Sequence, residues 1–238
     1  MKNNMKKLLL LVGVLASVLP VFAVANEEVA LDKAPIDASN QESLQRGART
    51  FVNYCLNCHS ASYMRYNRLM DIGLTEKQIK DNLLFAADKV GDPMKSTMDK
   101  KEAKGWLGVA PPDLSVEVRA RGVDWIYSYM RSFYRDETRP TGWNNVVYDK
   151  VAMPHVFWQL QGEQAFDHET HKLTLVKAGT LSVKEYDTLV TDLVNYMAFM
   201  AEPAKAKRQH MGWFVLLFLG VLLVLTYKLK KEYWKDIK

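Results

Sequence analysis

Cysteine is scarce in this chain: there are two in 238 residues, Cys55 and Cys58, three positions apart. That count excludes a disulfide scaffold, and the ligands for a structural zinc site of the four-cysteine type are missing too. Internal repeats and low-complexity linkers are also lacking, which leaves no sign of a solenoid or a string of modules. Alternating strands are few, so an all-β architecture is disfavoured. From Trp213 to Tyr227, WFVLLFLGVLLVLTY, charge is absent altogether.

That uncharged run is slightly short for a hydrocarbon core of about 30 Å at 1.5 Å per residue. Met211 and Gly212 lengthen it on one side, while Lys228, Lys230 and Lys231 can snorkel on the other, and a transmembrane helix over 213–227 is expected. At the other end, Lys2, Lys6 and Lys7 precede an apolar run from Leu8 to Leu19 and a small-residue site at Ala23-Val24-Ala25. This pattern predicts a cleaved signal peptide over 1–25 that exports the stretch from Asn26 to the membrane helix. The tail over 228–238 then stays in the cytoplasm, and its five lysines against two acids match the positive-inside tendency.

The formal charge of +5 misleads. Eleven of the 32 basic residues lie in the N-terminal segment, the basic juxtamembrane stretch 205–212 and the tail. The exported stretch 26–204 keeps 21 basic against 25 acidic residues, a net of −4. Nothing there implies a nucleic acid, and a cationic partner is favoured.

Within 26–204 the clear periodicity is helical. Ser39 or Asn40 can cap a helix through Leu44, Ala48, Phe51 and Val52 into Cys55. Thr75 to Gln78 and Ser182 to Glu185 read as capping boxes, the second followed by an apolar stripe of Tyr186, Leu189, Val190, Leu193, Val194 and Met197 that Pro203 closes. Gly91 to Gly105 reads as a Lys-rich loop, and Gly122 to Tyr134 as an aromatic-rich helix. Val146 to Tyr148 and Lys172 to Val176 are candidates for a short hairpin. The expected fold is mainly α: one domain with long loops, plus one C-terminal membrane helix.

Chemistry concentrates in Cys55-Leu56-Asn57-Cys58-His59. Cys-x-x-Cys on a helix puts two thiols about one turn apart, each able to add to a porphyrin vinyl group, and the adjacent His59 is directed at the iron. The pattern therefore predicts one covalently bound haem c. A thioredoxin-like redox pair would want a preceding strand in a βαβ setting, which is missing. The second axial ligand decides what such a haem does, a methionine thioether raising its potential for electron transfer and an empty position permitting ligand chemistry. Candidates are Met64, Met70, Met94, Met98, Met130, Met153, Met197, Met200 and Met211. Met153 lies in an apolar loop stiffened by Pro154, while Met197 and Met200 read as packing residues. His155, His168 and His171 are rivals, each read as a packed or surface histidine.

Reading outward, the chain resembles the cytochrome c1 family, the haem subunits of quinol–cytochrome c reductase (bc1) complexes. The resemblance rests on Ser43-Leu44-Gln45-Arg46-Gly47, the CxxCH motif, Pro111-Pro112-Asp113-Leu114-Ser115, Arg119-Ala120-Arg121, Met153-Pro154, Ala201-Glu202-Pro203 and the span opened by Arg208 to Gly212. CxxCH marks only a c-type haem; PPDLS followed by RAR, with a C-terminal anchor, is far more specific. The resemblance implies that Met153 is the sixth ligand, that Arg121 pairs with a haem propionate, and that Pro111 and Pro112 line the ring as a rigid wall. Trp125 stands where the family commonly has a different aromatic. The extra disulfide of some bacterial relatives has no cysteines here. Further implications are cytochrome b and Rieske partners in a dimeric membrane complex, a c-type cytochrome as acceptor, and a bacterial inner membrane with the haem domain in the periplasm.

Overall fold

The computed structural model describes residues 29–236, and the segment read as a signal peptide lies outside them. The first helix, α1 (Gln41–Thr50), starts where Asn40 accepts a hydrogen bond from the Ser43 amide. It continues into a wider π-type turn over Phe51–Cys55 that carries the first cysteine. Then come β1 (Ala61–Arg65), a 3-10 turn over Tyr66–Ile72, α2 (Glu76–Asn82), β2 (Pro93–Met94) and α3 (Lys100–Leu107). Next are α4 (Glu117–Arg121), α5 (Val123–Arg131), β3 (Phe133–Arg135), β4 (Trp143–Asn145) and α6 (Trp158–Gln161). The chain ends with β5 (Gly162–Asp167), β6 (Lys172–Ala178), α7 (Val183–Ala201) and α8 (Lys205–Tyr233). Among the described residues the strands form three separate antiparallel pairs, β1–β2, β3–β4 and β5–β6, so helices carry the core. The fold is mainly α with long connections, as expected.

The centre of the domain is the crossing of α1 on α7. Tyr186, Val190, Leu193, Val194 and Met197 of the expected stripe are buried, and Phe51 packs on Tyr196 with ring centroids 5.6 Å apart. Close approach is possible because Gly47 has no side chain: a Cβ there would lie 2.0 Å from the Asp192 carbonyl oxygen. Polar groups fix the register. Arg46 Nε donates to Asp192 Oδ2 at 2.6 Å, and Asn195 Nδ2 donates to the Asp37 carbonyl at 2.7 Å. On the other side of α7, the Tyr186 hydroxyl donates to the Met130 carbonyl at 2.7 Å, and Arg131 pairs with Asp187, which docks α5.

Both predicted capping boxes are present, at Thr75–Gln78 and Ser182–Glu185. Elsewhere the structure departs from the expected elements in three places. The Lys-rich stretch read as a loop contains β2 and α3; Asp99 caps α3 by accepting from the Lys101 and Glu102 amides, and Ala103 is its only buried residue, so it shows no periodicity. The expected helix from Gly122 to Tyr134 stops at Arg131 and turns into β3. Lys172 to Val176 is a strand, but it pairs with β5; Val146 to Tyr148 is not one, because Asn145 Oδ1 accepts from the Val147 and Tyr148 amides and turns the chain.

Glu202 ends α7 ahead of Pro203, and Arg208 Nε of α8 donates back to Glu202 Oε1 at 2.7 Å. The helix α8 is longer than the uncharged run within it. Its stretch Lys207–Tyr233 has 27 residues, and an 18-residue window within it has a mean hydropathy of 2.1 with none of that window buried in the protein. At about 1.5 Å per residue it exceeds a hydrocarbon core of about 30 Å. The exposed Trp213, Tyr227, Tyr233 and Trp234 suit the two membrane interfaces.

Candidate haem site

The π-type turn delivers Cys55 to the core, the turn that follows leaves Cys58 half-buried, and the His59 amide closes that turn on the Cys55 carbonyl at 2.8 Å. Burial, with the neighbouring Cys58, pushes the Cys55 thiol up to about 12, and burial raises Cys58 as well. Redox-active dithiols show the opposite, a thiol lowered towards neutrality. The pair is therefore poorly suited to thiol–disulfide exchange.

His59 Nδ1 lies 2.8 Å from the Pro112 carbonyl oxygen. A carbonyl only accepts, so Nδ1 carries the proton and Nε2 keeps its lone pair. Burial holds the ring below its ordinary pKa, partly offset by that hydrogen bond and by the charges of Glu117 and Asp113. A neutral imidazole, its tautomer fixed by a hydrogen bond at the far nitrogen, is the arrangement of a metal-ligating histidine. Two thiols and this ring make a donor set that fits a c-type haem.

Pro112 is expected as apolar wall; what the structure shows is its carbonyl. The segment around it is tied to β1, just beyond the motif. Leu114 N donates to the Ser60 carbonyl at 2.8 Å, Ser62 N to Asp113 Oδ2 at 3.0 Å, and Tyr63 N to Ser115 Oγ at 3.0 Å. Partial burial pushes the Asp113 carboxyl up, but hydrogen bonds from Ser115 and Ser62 outweigh it and hold the group below its ordinary pKa. Asp113 and Ser115 stand in the PPDLS motif that carries the family resemblance, but the sequence assigns them no role of their own. The signal is present as Asp-Leu-Ser, in which an aspartate bonds the amide two residues on.

A second cluster stands on α4 and α5, joined at Gly122 with φ +94°. Arg121 Nε donates to Glu117 Oε1 at 2.5 Å, and its guanidinium lies over Trp125 at 4.4 Å and Tyr148 at 5.6 Å. Trp125 stacks on Tyr129 at 5.0 Å, which gives it a partner beyond general packing. The Tyr129 hydroxyl donates to Met153 Sδ at 3.4 Å. Burial pushes that hydroxyl well up, against the pull of the Arg121 cation.

Cys55, Cys58, His59 and Pro112 thus come together, as do Arg121 and Met153 around Tyr129. Two links join the groups. Glu117 acts on His59 through its charge and bonds Arg121. Tyr54, next to Cys55, packs edge-on at 5.0 Å against Phe157, four residues after Met153. Of the rival ligands, Met64, Met94, Met130, Met197 and Met200 are buried in the core, and Met98 shares a small cleft with Cys58. His155 is packed, face-on to Phe133 at 4.9 Å and edge-on to Trp143 at 5.0 Å, while His168 and His171 are exposed.

Comparison with known proteins gives a match to the model of the Cytochrome C1 family over residues 32–104 and 85–237. A protein of Nitrosomonas europaea named ammonia monooxygenase gamma subunit is 55% identical over 213 residues, 90% of this chain and 91% of that one. The cytochrome c1 of Allochromatium vinosum is 46% identical over 244 residues, covering 98% and 100%. A solved chain described as a hyperthermophilic respiratory complex III aligns over 99% of both chains at 17% identity, with a TM-score of 0.46.

Proposed function

Because the chain belongs to the cytochrome c1 family, we propose that it is the electron-transfer haem subunit of a quinol–cytochrome c reductase. In this reading Cys55 and Cys58 hold one haem c through thioether bonds, His59 is the proximal ligand and Met153 the distal one. When bound, the haem supplies an iron that exchanges one electron between its ferric and ferrous forms. The observation that carries the reading is the hydrogen bond from His59 Nδ1 to the Pro112 carbonyl, which leaves the Nε2 lone pair free on the residue that follows Cys58.

The chain's residues set conditions for the electron; no bond chemistry is asked of them. A neutral thioether at Met153 favours the reduced state and a high potential. Arg121 is the cation for a haem propionate, sharing or exchanging Glu117 to do so. The electron arrives from a Rieske iron–sulfur protein and leaves to a c-type cytochrome, which the acidic balance of 26–204 steers by charge. After removal of residues 1–25, the haem domain 26–204 lies in the periplasm, and 205–212 and 213–227 lead through the inner membrane to the cytoplasmic tail 228–238. There α8 packs against cytochrome b in a dimeric complex. The Nitrosomonas europaea relative is named for a different enzyme; the reading here follows the family model and the geometry at Cys55 to His59.

The test is to purify the complex through this chain. A haem-stained band at the chain's mass should survive denaturing electrophoresis and disappear in Cys55→Ser/Cys58→Ser. In the native complex that haem should be reduced by quinol only when the Rieske protein is present. Haem that extracts into acid acetone, or reduction without the Rieske protein, contradicts the reading.

A further inference from the structure

Four residues spaced four apart in the chain, Arg121 at the end of α4, Trp125 and Tyr129 on α5 and Phe133 at the start of β3, form a ladder. The guanidinium of Arg121 covers Trp125, Trp125 stacks on Tyr129 at 5.0 Å with an interplanar angle of 11°, and Phe133 meets Tyr129 edge-on at 5.0 Å. Phe133 then stacks on His155 at 4.9 Å and 5°. The Met153–His155 loop is therefore gripped at two points, by the Tyr129 hydroxyl on the sulfur and by the Phe133 ring on the imidazole. The Tyr129 backbone is also held, its carbonyl accepting from Asn145 Nδ2 at 2.8 Å.

From this geometry we propose that Tyr129 is the positioning residue for Met153, its hydroxyl aiming the thioether and withdrawing electron density from the sulfur. The inference rests on the reading of Met153 as an iron ligand. Tyr129 is 9% exposed, so its hydroxyl needs a partner, and among the described residues the one it donates to is Met153 Sδ. A ring fixed on both sides cannot swing to another acceptor without unstacking. The thioether has two lone pairs: one accepts from Tyr129, and the other remains for a metal. A donor on the ligand sulfur weakens its donation to ferric iron more than to ferrous iron, which favours the reduced state; hydrogen bonding to ligands is one of the protein's means of setting a haem potential. Removing the donor therefore lowers the potential.

Tyr129→Phe keeps the ring and both stacking contacts and deletes only the hydroxyl. In the haem-loaded full chain, three quantities decide the matter: the midpoint potential by redox titration, the sulfur-to-ferric-iron charge-transfer band, and the affinity for added imidazole, which competes with the thioether. The expected result is a wild type with the band, and a Tyr129→Phe variant with a lowered midpoint potential and tighter imidazole binding. A wild type with the band and a variant whose potential is unshifted or raised overturns the role of Tyr129 while Met153 stands. A wild type without the band removes Met153 as ligand and the inference with it.

Discussion

Gly47→Ala adds a single methyl group at the crossing of α1 on α7, and the structure sets its sign. The new carbon would lie 2.0 Å from the Asp192 carbonyl oxygen, 2.6 Å from Tyr196 Cβ and 2.7 Å from the Asp192 carbonyl carbon. Two of these are backbone atoms, so no rotamer change relieves the clash. Ordinary contact begins near 3.4 Å, and the helices must therefore part by roughly 1.4 Å. Against this, alanine gains about 1 kcal/mol of helix propensity over glycine. Overpacking a close-packed core costs typically about 1–3 kcal/mol, and more where the backbone must move. Separation here also pulls on the Arg46–Asp192 pair and on Phe51 against Tyr196. The expected net effect is a loss of about 2 kcal/mol or more, close to a 30-fold change in the folding equilibrium. Because α1 leads directly to Cys55, the yield of haem-stained chain should fall as well. Gly105→Ala is the control: it lies in α3 with nothing within 4 Å of its Cβ position, and a gain of about 0.5–1 kcal/mol is expected. Denaturant unfolding in detergent, followed by aromatic fluorescence, compares the two. A Gly47→Ala chain as stable as the wild type, or stabilised like Gly105→Ala, refutes the argument.

Asp192→Ala should cost about 2 kcal/mol in the same assay, the worth of a charge-assisted hydrogen bond, since the half-exposed Arg46 guanidinium is rehydrated once the carboxylate has gone. Arg46→Met, which instead strands the nearly buried carboxylate, should cost at least as much, and an Arg46→Met chain as stable as the wild type counts against the pair. Asp113 titrates lower in the folded chain than its ordinary 3.8, so its stabilisation is complete above that value and is lost as pH falls through the depressed folded value. Asp113→Asn should therefore lower stability at neutral pH and flatten the acid limb of the stability profile, which unfolding midpoints between about pH 2 and 6 (roughly from below the carboxylate range to above it) measure. Electron delivery to a basic c-type cytochrome should slow as salt rises, read by stopped-flow at several ionic strengths; a flat profile removes the steering argument.

Much of the fold is legible in the residues because it depends on local rules. The two capping boxes, the stripe of α7, the apolar run of α8 and the CxxCH spacing are each written within a few consecutive positions. What escapes is set by contacts between distant segments. The helix α3 buries only Ala103, so it has no apolar face to betray it. Pro112 matters through an oxygen that every residue possesses, and Tyr129 through a sulfur 24 positions away. The aromatic spacing of Trp125, Tyr129 and Phe133 is visible, but helical periodicity alone reads as core.

The acceptor for His59 is a main-chain carbonyl, and that has a genetic consequence. A carboxylate or amide side chain in that place could be lost by one codon change, and the imidazole tautomer with it. No substitution deletes a carbonyl. The proton on Nδ1 is thus insulated from point mutation at residue 112, so long as the replacement keeps the local path of the chain. The vulnerability passes to Asp113 and Ser115, whose side chains hold that path. Saturation mutagenesis across 111–115 should therefore find its intolerant positions beside the contact rather than at it.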